Sequence, residues 1–154
     1  FDAHVAASVS PWLKKSLGQY AYHLETAYQL LNYSPPTISM MVDGKGPFKG
    51  AFALIANMRR YGGNLFFAHS ARYNDGQLDL VLFRDLSFRS FIGCTSRAFK
   101  RQGVPEEFAI RLRGRHFEFS ADRAIDYQLD GEVMPKVRET TIEVHPGSIR
   151  MMAP

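Results

Sequence analysis

The sequence predicts a mainly β protein of the α+β class, an antiparallel β-sandwich with one or two helices packed against it. The second half is a close series of short segments with alternating apolar residues, separated by turn signals. Asp-Gly pairs, which favour tight hairpin turns, occur at 43–44, 75–76 and 130–131. Two other stretches have apolar residues at helical spacing. Helices on one face of an antiparallel sheet are a stable way to bury both patterns.

Length and composition indicate one globular domain. The chain has 154 residues, of which 45% are hydrophobic and 13% aromatic. The single cysteine, Cys94, excludes an internal disulfide and favours a reducing, cytoplasmic compartment. No apolar run is long enough to span a membrane. The opening "FDAHVAASVS" is not a signal peptide and lacks an initiator Met. We therefore expect the chain to be cut from a longer protein.

The elements of the first half follow in order. Residues 17–31 carry apolar residues in steps of three and four, which predicts an amphipathic helix that "NYSPP" ends. "TISMMVDG" is then a strand entering an Asp-Gly turn, and "GAFALIANM" a buried strand. After the loop "RRYGGN", "LFFAH" and "LDLVLFRD" are the third and fourth strands.

A second helix is predicted at 87–101, with Ser87 as its N-cap. Its inner face is formed by Phe88, Phe91, Ile92, Thr95, Ala98 and Phe99, and its outer face by Arg89, Arg97, Lys100 and Arg101. We interpret the outer face as a solvated basic surface. The alternative is a helix that rests on an anionic membrane surface.

From residue 108 the pattern has period two, which predicts a strand pair around "RGRH". "IDYQL", an Asp-Gly turn, "VRETTIEVH" and "SIRMM" continue the series of strands. The arginines of "RLRGRH" alternate along a strand, so they form one polar face of a sheet rather than a nucleic-acid site. The net charge of +4 favours anionic partners such as phosphate groups or acidic lipid surfaces.

Most familiar catalytic devices are missing. The five histidines are scattered, Cys94 has no C-x-x-C partner, and no Walker A, G-x-G-x-x-G or G-x-S-x-G motif is present. Two acidic turns remain, Asn74-Asp75-Gly76 and Asp130-Gly131-Glu132. Asp75 could supply a carboxylate to a hard cation, with backbone carbonyls completing the site. Spacing alone favours simple turns in both places.

Taken together, these segments resemble a known family. "IANMRRYGGNLFFAHSARYNDGQLDLVLF", then "YQLDGEVMP" and the closing "IEVHPGSIRMMAP", resemble the C-terminal domain of the diacylglycerol kinase/sphingosine kinase family of lipid kinases. The helix "KKSLGQYAYHLETAYQLL" and the opening "FDAHVA" fit the same domain, so the resemblance covers nearly the whole chain. It implies a β-sandwich that pairs with an N-terminal nucleotide-binding domain carrying a GGDGT-type loop, which is absent from this chain.

The resemblance also implies roles for particular residues. Glu132 matches the acceptor of the lipid hydroxyl proton, and Asp130, Gly131 and Glu132 together form the turn that faces the phosphates of ATP. A positioned carboxylate suits phosphoryl transfer because that reaction mainly needs an oriented nucleophile and charge neutralisation.

The family's cation site falls on the second acidic turn. Asp75 matches the side-chain ligand for Mg²⁺, and Arg72 and Gln77 match ligands that act through backbone carbonyls. Asn57 matches an Asn near the interdomain cleft, with no role assigned.

Two functions of different classes follow from these observations. The first is the substrate-side domain of an ATP-dependent lipid kinase that phosphorylates a lipid hydroxyl, of a diacylglycerol or a sphingoid base, and that touches the membrane peripherally. On this hypothesis the fragment alone is inactive. The second is a non-catalytic sandwich module that binds lipid or an acidic membrane surface. Binding of nucleic acid, suggested only by charge, is not expected.

Overall fold

The computed structural model describes residues 34–61 and 65–149, which form two antiparallel sheets and one helix. The helix predicted at 17–31 lies outside the described residues. The strands are β1 (Ile38–Val42), β2 (Lys45–Gly50), β3 (Phe52–Ala56), β4 (Leu78–Phe83), β5 (Ala109–Gly114), β6 (His116–Leu129) and β7 (Glu132–Glu143), and the helix is α1 (Phe88–Phe99). The predicted fold class is confirmed.

The strands divide into a four-stranded and a three-stranded sheet. The order in the first is β2-β1-β6-β7 and in the second β3-β4-β5, and every pairing is antiparallel. Strand β4 lies at the centre of the smaller sheet and is buried on both faces. Its even-numbered residues Leu80 and Leu82 pack between the sheets, whereas Val81 and Phe83 pack with Cys94 of the helix.

Helix α1 matches the prediction closely because its signals are local. The Ser87 side chain accepts a hydrogen bond from the Ser90 N–H at 3.3 Å, as an N-cap does. The four basic residues of the predicted outer face are exposed, and Ala98 is buried on the inner face. Burial raises the pKa of the Cys94 thiol to about 11, so this cysteine is part of the core rather than a nucleophile.

The predicted strand "LFFAH" is wrong. Only Leu65 makes an isolated bridge, to Tyr61, and the chain then turns. The Phe66 N–H donates to the carbonyl of Ala98 in the helix at 3.1 Å instead of to a strand. Ala68, which is buried, packs into the core beneath the helix. The apolar run therefore reflects loop burial, which periodicity cannot distinguish from a short strand.

The predicted pairing around "RGRH" is also wrong. Both strands exist, but β5 belongs to the smaller sheet and β6 to the larger one. The chain crosses between the sheets at Gly114 and Arg115, where Asp43 Oδ1 accepts the N–H groups of Arg115 at 3.0 Å and His116 at 2.9 Å. A Cβ on Gly114 would lie 2.6 Å from Val42 Cγ1, so the crossing needs glycine. In "SIRMM", the described residues Ser148 and Ile149 are not in a strand.

Candidate active site

The turn between β6 and β7 is a tight hairpin. Asp130 and Gly131 have φ angles of 47° and 91°, the left-handed values that two-residue hairpin loops require. Leu129 pairs with Glu132 across the turn, so Glu132 is the first residue of β7. Glu132 is exposed, and its carboxylate makes no ion pair or hydrogen bond with any residue that the structure describes. A backbone turn thus presents a free carboxylate to whatever lies beyond the tip.

The hairpin projects as a two-stranded arm. Strand β1 pairs with β6 only as far as Ala121, and no third strand within 34–61 and 65–149 pairs with the arm beyond that point. The Gln128 side-chain amide donates to the Tyr61 hydroxyl at 2.9 Å, which ties the arm to the segment after β3. Beside Glu132, Leu129 and Val133 are 57% and 48% exposed. The tip is therefore an acidic group with exposed apolar neighbours.

The second acidic turn lies in the loop before β4. Asp75 Oδ1 accepts the backbone N–H of Gln77 at 3.0 Å, as carboxylates do in Asx turns. Its other oxygen contacts the guanidinium of Arg113 on β5. Arg72 is exposed in the same loop, and Gly76 has a φ of 69°. The three residues predicted to bind the cation thus share one short loop.

Beside this loop lies an acidic residue that the sequence interpretation missed. Asp79, on β4, is only 4% exposed, and its carboxylate accepts the Ser70 hydroxyl at 2.6 Å and the Arg113 Nε–H at 3.2 Å. Arg113 therefore bridges Asp75 and Asp79. The available signal was a charged residue inside the apolar run "LDLVLF", because a buried carboxylate requires partners.

The donor atoms in the loop fit a hard cation. Carboxylate and backbone carbonyl oxygens are the ligands that Mg²⁺ and Ca²⁺ take, and each oxygen of Asp75 has a second lone pair. The described residues contain no cluster of three or more His, Cys, Asp or Glu side chains that could hold a metal. A site here would therefore depend on Asp75 and backbone carbonyls, and the cation would share Asp75 with the positively charged Arg113.

The two predicted sites are not bonded to one another in the described part of the chain. No hydrogen bond or ion pair recorded there joins the hairpin tip to the loop around Asp75. Asn57 is exposed immediately after β3. A shallow depression of about 290 Å³ lies over the Arg113 cluster and is lined by one apolar residue and five polar or charged ones: Leu112, His69, Ser70, Asp79, Arg111 and Arg113.

Within residues 34–61 and 65–149, two antiparallel sheets, one covering helix and a projecting acidic hairpin define the class of protein, the C-terminal sandwich domains of diacylglycerol-kinase-like proteins. Residues 1–153 match the model of the YegS C-terminal NAD kinase beta sandwich-like domain, and the chain belongs to this family.

Curated relatives have kinase names. The chain is 29% identical over 157 residues to "Probable lipid kinase YegS-like" of Shewanella frigidimarina, an alignment that covers 100% of the chain and 50% of that protein. It is 26% identical over 122 residues to the diacylglycerol kinase of Bacillus subtilis, covering 78% of the chain and 40% of that protein. The chain thus spans half or less of the length of these relatives.

Solved structures share the fold. A diacylglycerol kinase structure from Bacillus anthracis superimposes with a TM-score of 0.59 at 14% identity, covering 85% of this chain and 45% of that one. Another structure from the same organism gives a TM-score of 0.65 at 18% identity, covering 93% of this chain and 48% of that one. No helix within the described residues is long and apolar enough to cross a membrane.

Proposed function

We propose that this chain is the substrate-side domain of an ATP-dependent lipid kinase, which transfers the γ-phosphoryl group of ATP to a lipid hydroxyl of the diacylglycerol or sphingoid class. Family membership and the names of the relatives support the kinase class. The observation that carries the proposal is the position of Glu132, exposed at a rigid two-residue turn and without a partner among the described residues.

In the proposed reaction Glu132 accepts the proton of the lipid hydroxyl as that oxygen attacks the γ-phosphorus, and the bond from the γ-phosphorus to the β,γ-bridging oxygen breaks to release ADP. A carboxylate suits this task because it orients the alcohol by a hydrogen bond and takes the proton as the new P–O bond forms. Asp130 and Gly131 would face the nucleotide phosphates, and nothing lies within 4 Å of the position that a Cβ on Gly131 would occupy. The rest of the ATP site would come from an N-terminal domain of the parent protein.

Mg²⁺ is the cation that we propose for the loop around Asp75. The Asp75 carboxylate and the backbone carbonyls of Arg72 and Gln77 would hold it, and its charge would offset that of the carboxylate and fix the loop. This site is distinct from the ion that accompanies ATP, whose charge neutralisation supports phosphoryl transfer.

Substitution of Glu132 in the intact protein tests the catalytic proposal. We expect Glu132→Gln to lower the turnover number for lipid phosphorylation by ~10²–10⁴, because loss of a general base typically has that effect. Its melting temperature should be unchanged, since the side chain is exposed and has no partner among the described residues.

The matched control is Glu139→Gln, an exposed carboxylate on the same strand, which should keep full activity. Full activity of Glu132→Gln would show that another group takes the proton. If the intact wild-type protein bound diacylglycerol vesicles but transferred no phosphate from ATP to a panel of hydroxyl lipids, the non-catalytic binding module would be the better description.

A further inference from the structure

Four exposed cations lie near the C-terminal end of α1, where we define the basic corner as Arg60, Arg97, Lys100 and Arg101. Arg60 comes from the segment after β3, and the fold brings it to the helix. The guanidinium carbons of Arg60 and Arg101 lie 5.8 Å and 5.0 Å from the centroid of the same Phe66 ring. Both contacts fall within the range of cation–π attraction. A single aromatic ring therefore contacts both guanidinium groups.

A backbone hydrogen bond attaches the segment that carries this ring to the helix. The Phe66 N–H donates to the carbonyl of Ala98 in the last turn of α1 at 3.1 Å. The segment that carries Phe66 is thus attached to the helix end rather than free to move the ring away. The fold thus brings Arg60 and the end of the helix to the same ring.

Arg101 occupies a position where helices usually place glycine. The Gln102 N–H donates to the Arg97 carbonyl at 3.0 Å, and the Arg101 N–H to the Ala98 carbonyl at 3.2 Å, which is the Schellman arrangement of a helix C-terminus. Arg101 has a φ of 58° in this motif, a left-handed conformation that is unfavourable for a residue with a Cβ. The local backbone alone would favour glycine; the contact with Phe66 accounts for the position of the guanidinium but leaves its charge able to bind an anion.

The charges of the basic corner are not neutralised within the described part of the chain. None of its four residues makes an ion pair there, in contrast to Arg113, which contacts two carboxylates. The last helical carbonyls already accept backbone N–H groups, so the cations are not needed as hydrogen-bond donors to them. The helix dipole favours cations at this end, but that effect does not require arginine at a left-handed position.

We propose that the basic corner is a docking surface for a bilayer that contains anionic lipids. Guanidinium groups bind headgroup phosphates, and clustered basic residues are attracted to the negative surface potential of such bilayers. Met58, two residues before Arg60 in the sequence, is 64% exposed and adds an apolar side chain to the same segment. The choice of a lipid surface over nucleic acid rests in part on the proposed lipid kinase function. It also rests on Phe66, whose ring contacts two guanidiniums and so is not an open stacking platform for bases.

Vesicle co-sedimentation of the intact protein tests the surface. Wild type should bind vesicles of phosphatidylglycerol and phosphatidylcholine, bind phosphatidylcholine alone weakly, and dissociate as salt is raised. We expect the double variant Arg60→Glu/Arg101→Glu to bind the anionic vesicles about tenfold or more weakly, because each basic residue near such a surface contributes substantially to attraction. The control Lys49→Glu/Arg138→Glu makes the same change of charge at exposed positions on β2 and β7 and should bind like wild type.

The variant Arg101→Gly tests whether misfolding, rather than loss of charge, causes any loss of vesicle binding. Glycine is favoured at this helix end, so the variant should melt at or above the wild-type temperature while binding anionic vesicles several-fold more weakly. The proposal is overturned if both corner variants bind like wild type or if the control weakens equally. It is also overturned if the corner variants lose affinity for an oligonucleotide but not for vesicles, which would identify a nucleic-acid surface.

An assay of lipid phosphorylation in neutral detergent micelles tests the kinase proposal independently of the docking surface. Corner variants should retain wild-type turnover there, because no residue of the corner belongs to the proposed catalytic group. Binding to anionic vesicles without any kinase activity in the wild type would refute the proposed function and leave the docking surface standing. Loss of micelle activity in the corner variants alone would place the corner in the catalytic machinery instead and contradict a purely docking role.

Discussion

Asp79 shows how a single residue joins distant parts of the chain. Its buried carboxylate binds Ser70, nine positions earlier, and Arg113, thirty-four positions later. It thus connects the loop before β4 to β5, and Arg113 extends the connection to Asp75. A buried charge is costly unless it is paired and hydrogen-bonded, which explains why the three residues occur together. The sequence shows the unusual Asp but not its partners, because no local pattern relates them.

Asp43 provides a prediction at the same scale. Hydrogen bonds from the backbone N–H groups of His116 and Arg115 lower the pKa of its carboxyl from the ordinary 3.8. A carboxyl with a lowered pKa in the folded state stabilises that state fully above its unfolded-state pKa. This contribution is lost as pH falls from 3.8 through the lower folded-state value. We expect the free energy of unfolding of Asp43→Asn to fall less steeply at acidic pH than that of wild type, because the amide does not titrate.

Urea unfolding of wild type and Asp43→Asn between neutral pH and pH 2 measures the effect. Asparagine tolerates the left-handed φ of 48° at this position, so the substitution adds little backbone strain. Asp130→Asn is the matched control, since Asp130 also has a left-handed φ, 47°, but lies at an exposed tip. Its free energy of unfolding should change with pH in parallel with that of wild type. Parallel pH profiles for wild type and Asp43→Asn would refute the linkage.

At the scale of elements, capping and turn signals predict the structure correctly, whereas short apolar runs and the pairing of strands do not. The limits of α1, its Ser87 cap and the Asp130-Gly131 hairpin were predicted, because each depends on residues within a few positions. The assignment of β5 and β6 to different sheets was not, because it depends on Asp43, which lies about seventy residues earlier. Strand β2 was not predicted either, since it is mostly exposed and lacks an apolar pattern.

The loop from Arg72 to Gln77 carries a prediction about metal. If it holds Mg²⁺, the ion should raise the melting temperature of the intact protein, because a ligand at ten times its Kd stabilises by about 1.4 kcal/mol. Asp75→Ala removes the carboxylate and should abolish this rise. It should also lower stability without Mg²⁺, since the Gln77 N–H loses its acceptor and Arg113 loses one of its two carboxylate partners.

Thermal melts with and without Mg²⁺ provide the measurement. Asn74→Ala, at the exposed neighbouring position, is the control and should keep the Mg²⁺-dependent rise. Equal rises in wild type and Asp75→Ala would mean that the ion acts elsewhere in the protein. The absence of any rise in wild type would leave Asp75 with the structural role that its contacts with Gln77 and Arg113 already show.

At the scale of the whole molecule, the fold class could be read from the sequence because it depends on pattern and composition. The site could be predicted only in part. Glu132 and Asp75 were found through resemblance to a family, whereas neither spacing nor charge distinguished them from ordinary turn residues. The basic corner depends on a contact between Phe66 and arginines that lie six positions before it and thirty-five after it, which no sequence period reveals.

Strand β4 makes the two halves of the core depend on one another. Leu80 is fully buried between the sheets, and Val81 packs on the opposite face with the helix. We expect Leu80→Ala to lower the free energy of unfolding by about 2–5 kcal/mol, as Leu-to-Ala changes in cores do. Because one strand serves both clusters, amide hydrogen exchange in the intact protein should accelerate by the same factor in both sheets.

Val81→Ala should accelerate the same amides to a smaller extent, since fewer atoms are removed. Val133→Ala, at the half-exposed hairpin tip, is the control and should change exchange only near the tip. Acceleration confined to one sheet in Leu80→Ala would show that the two sheets open independently.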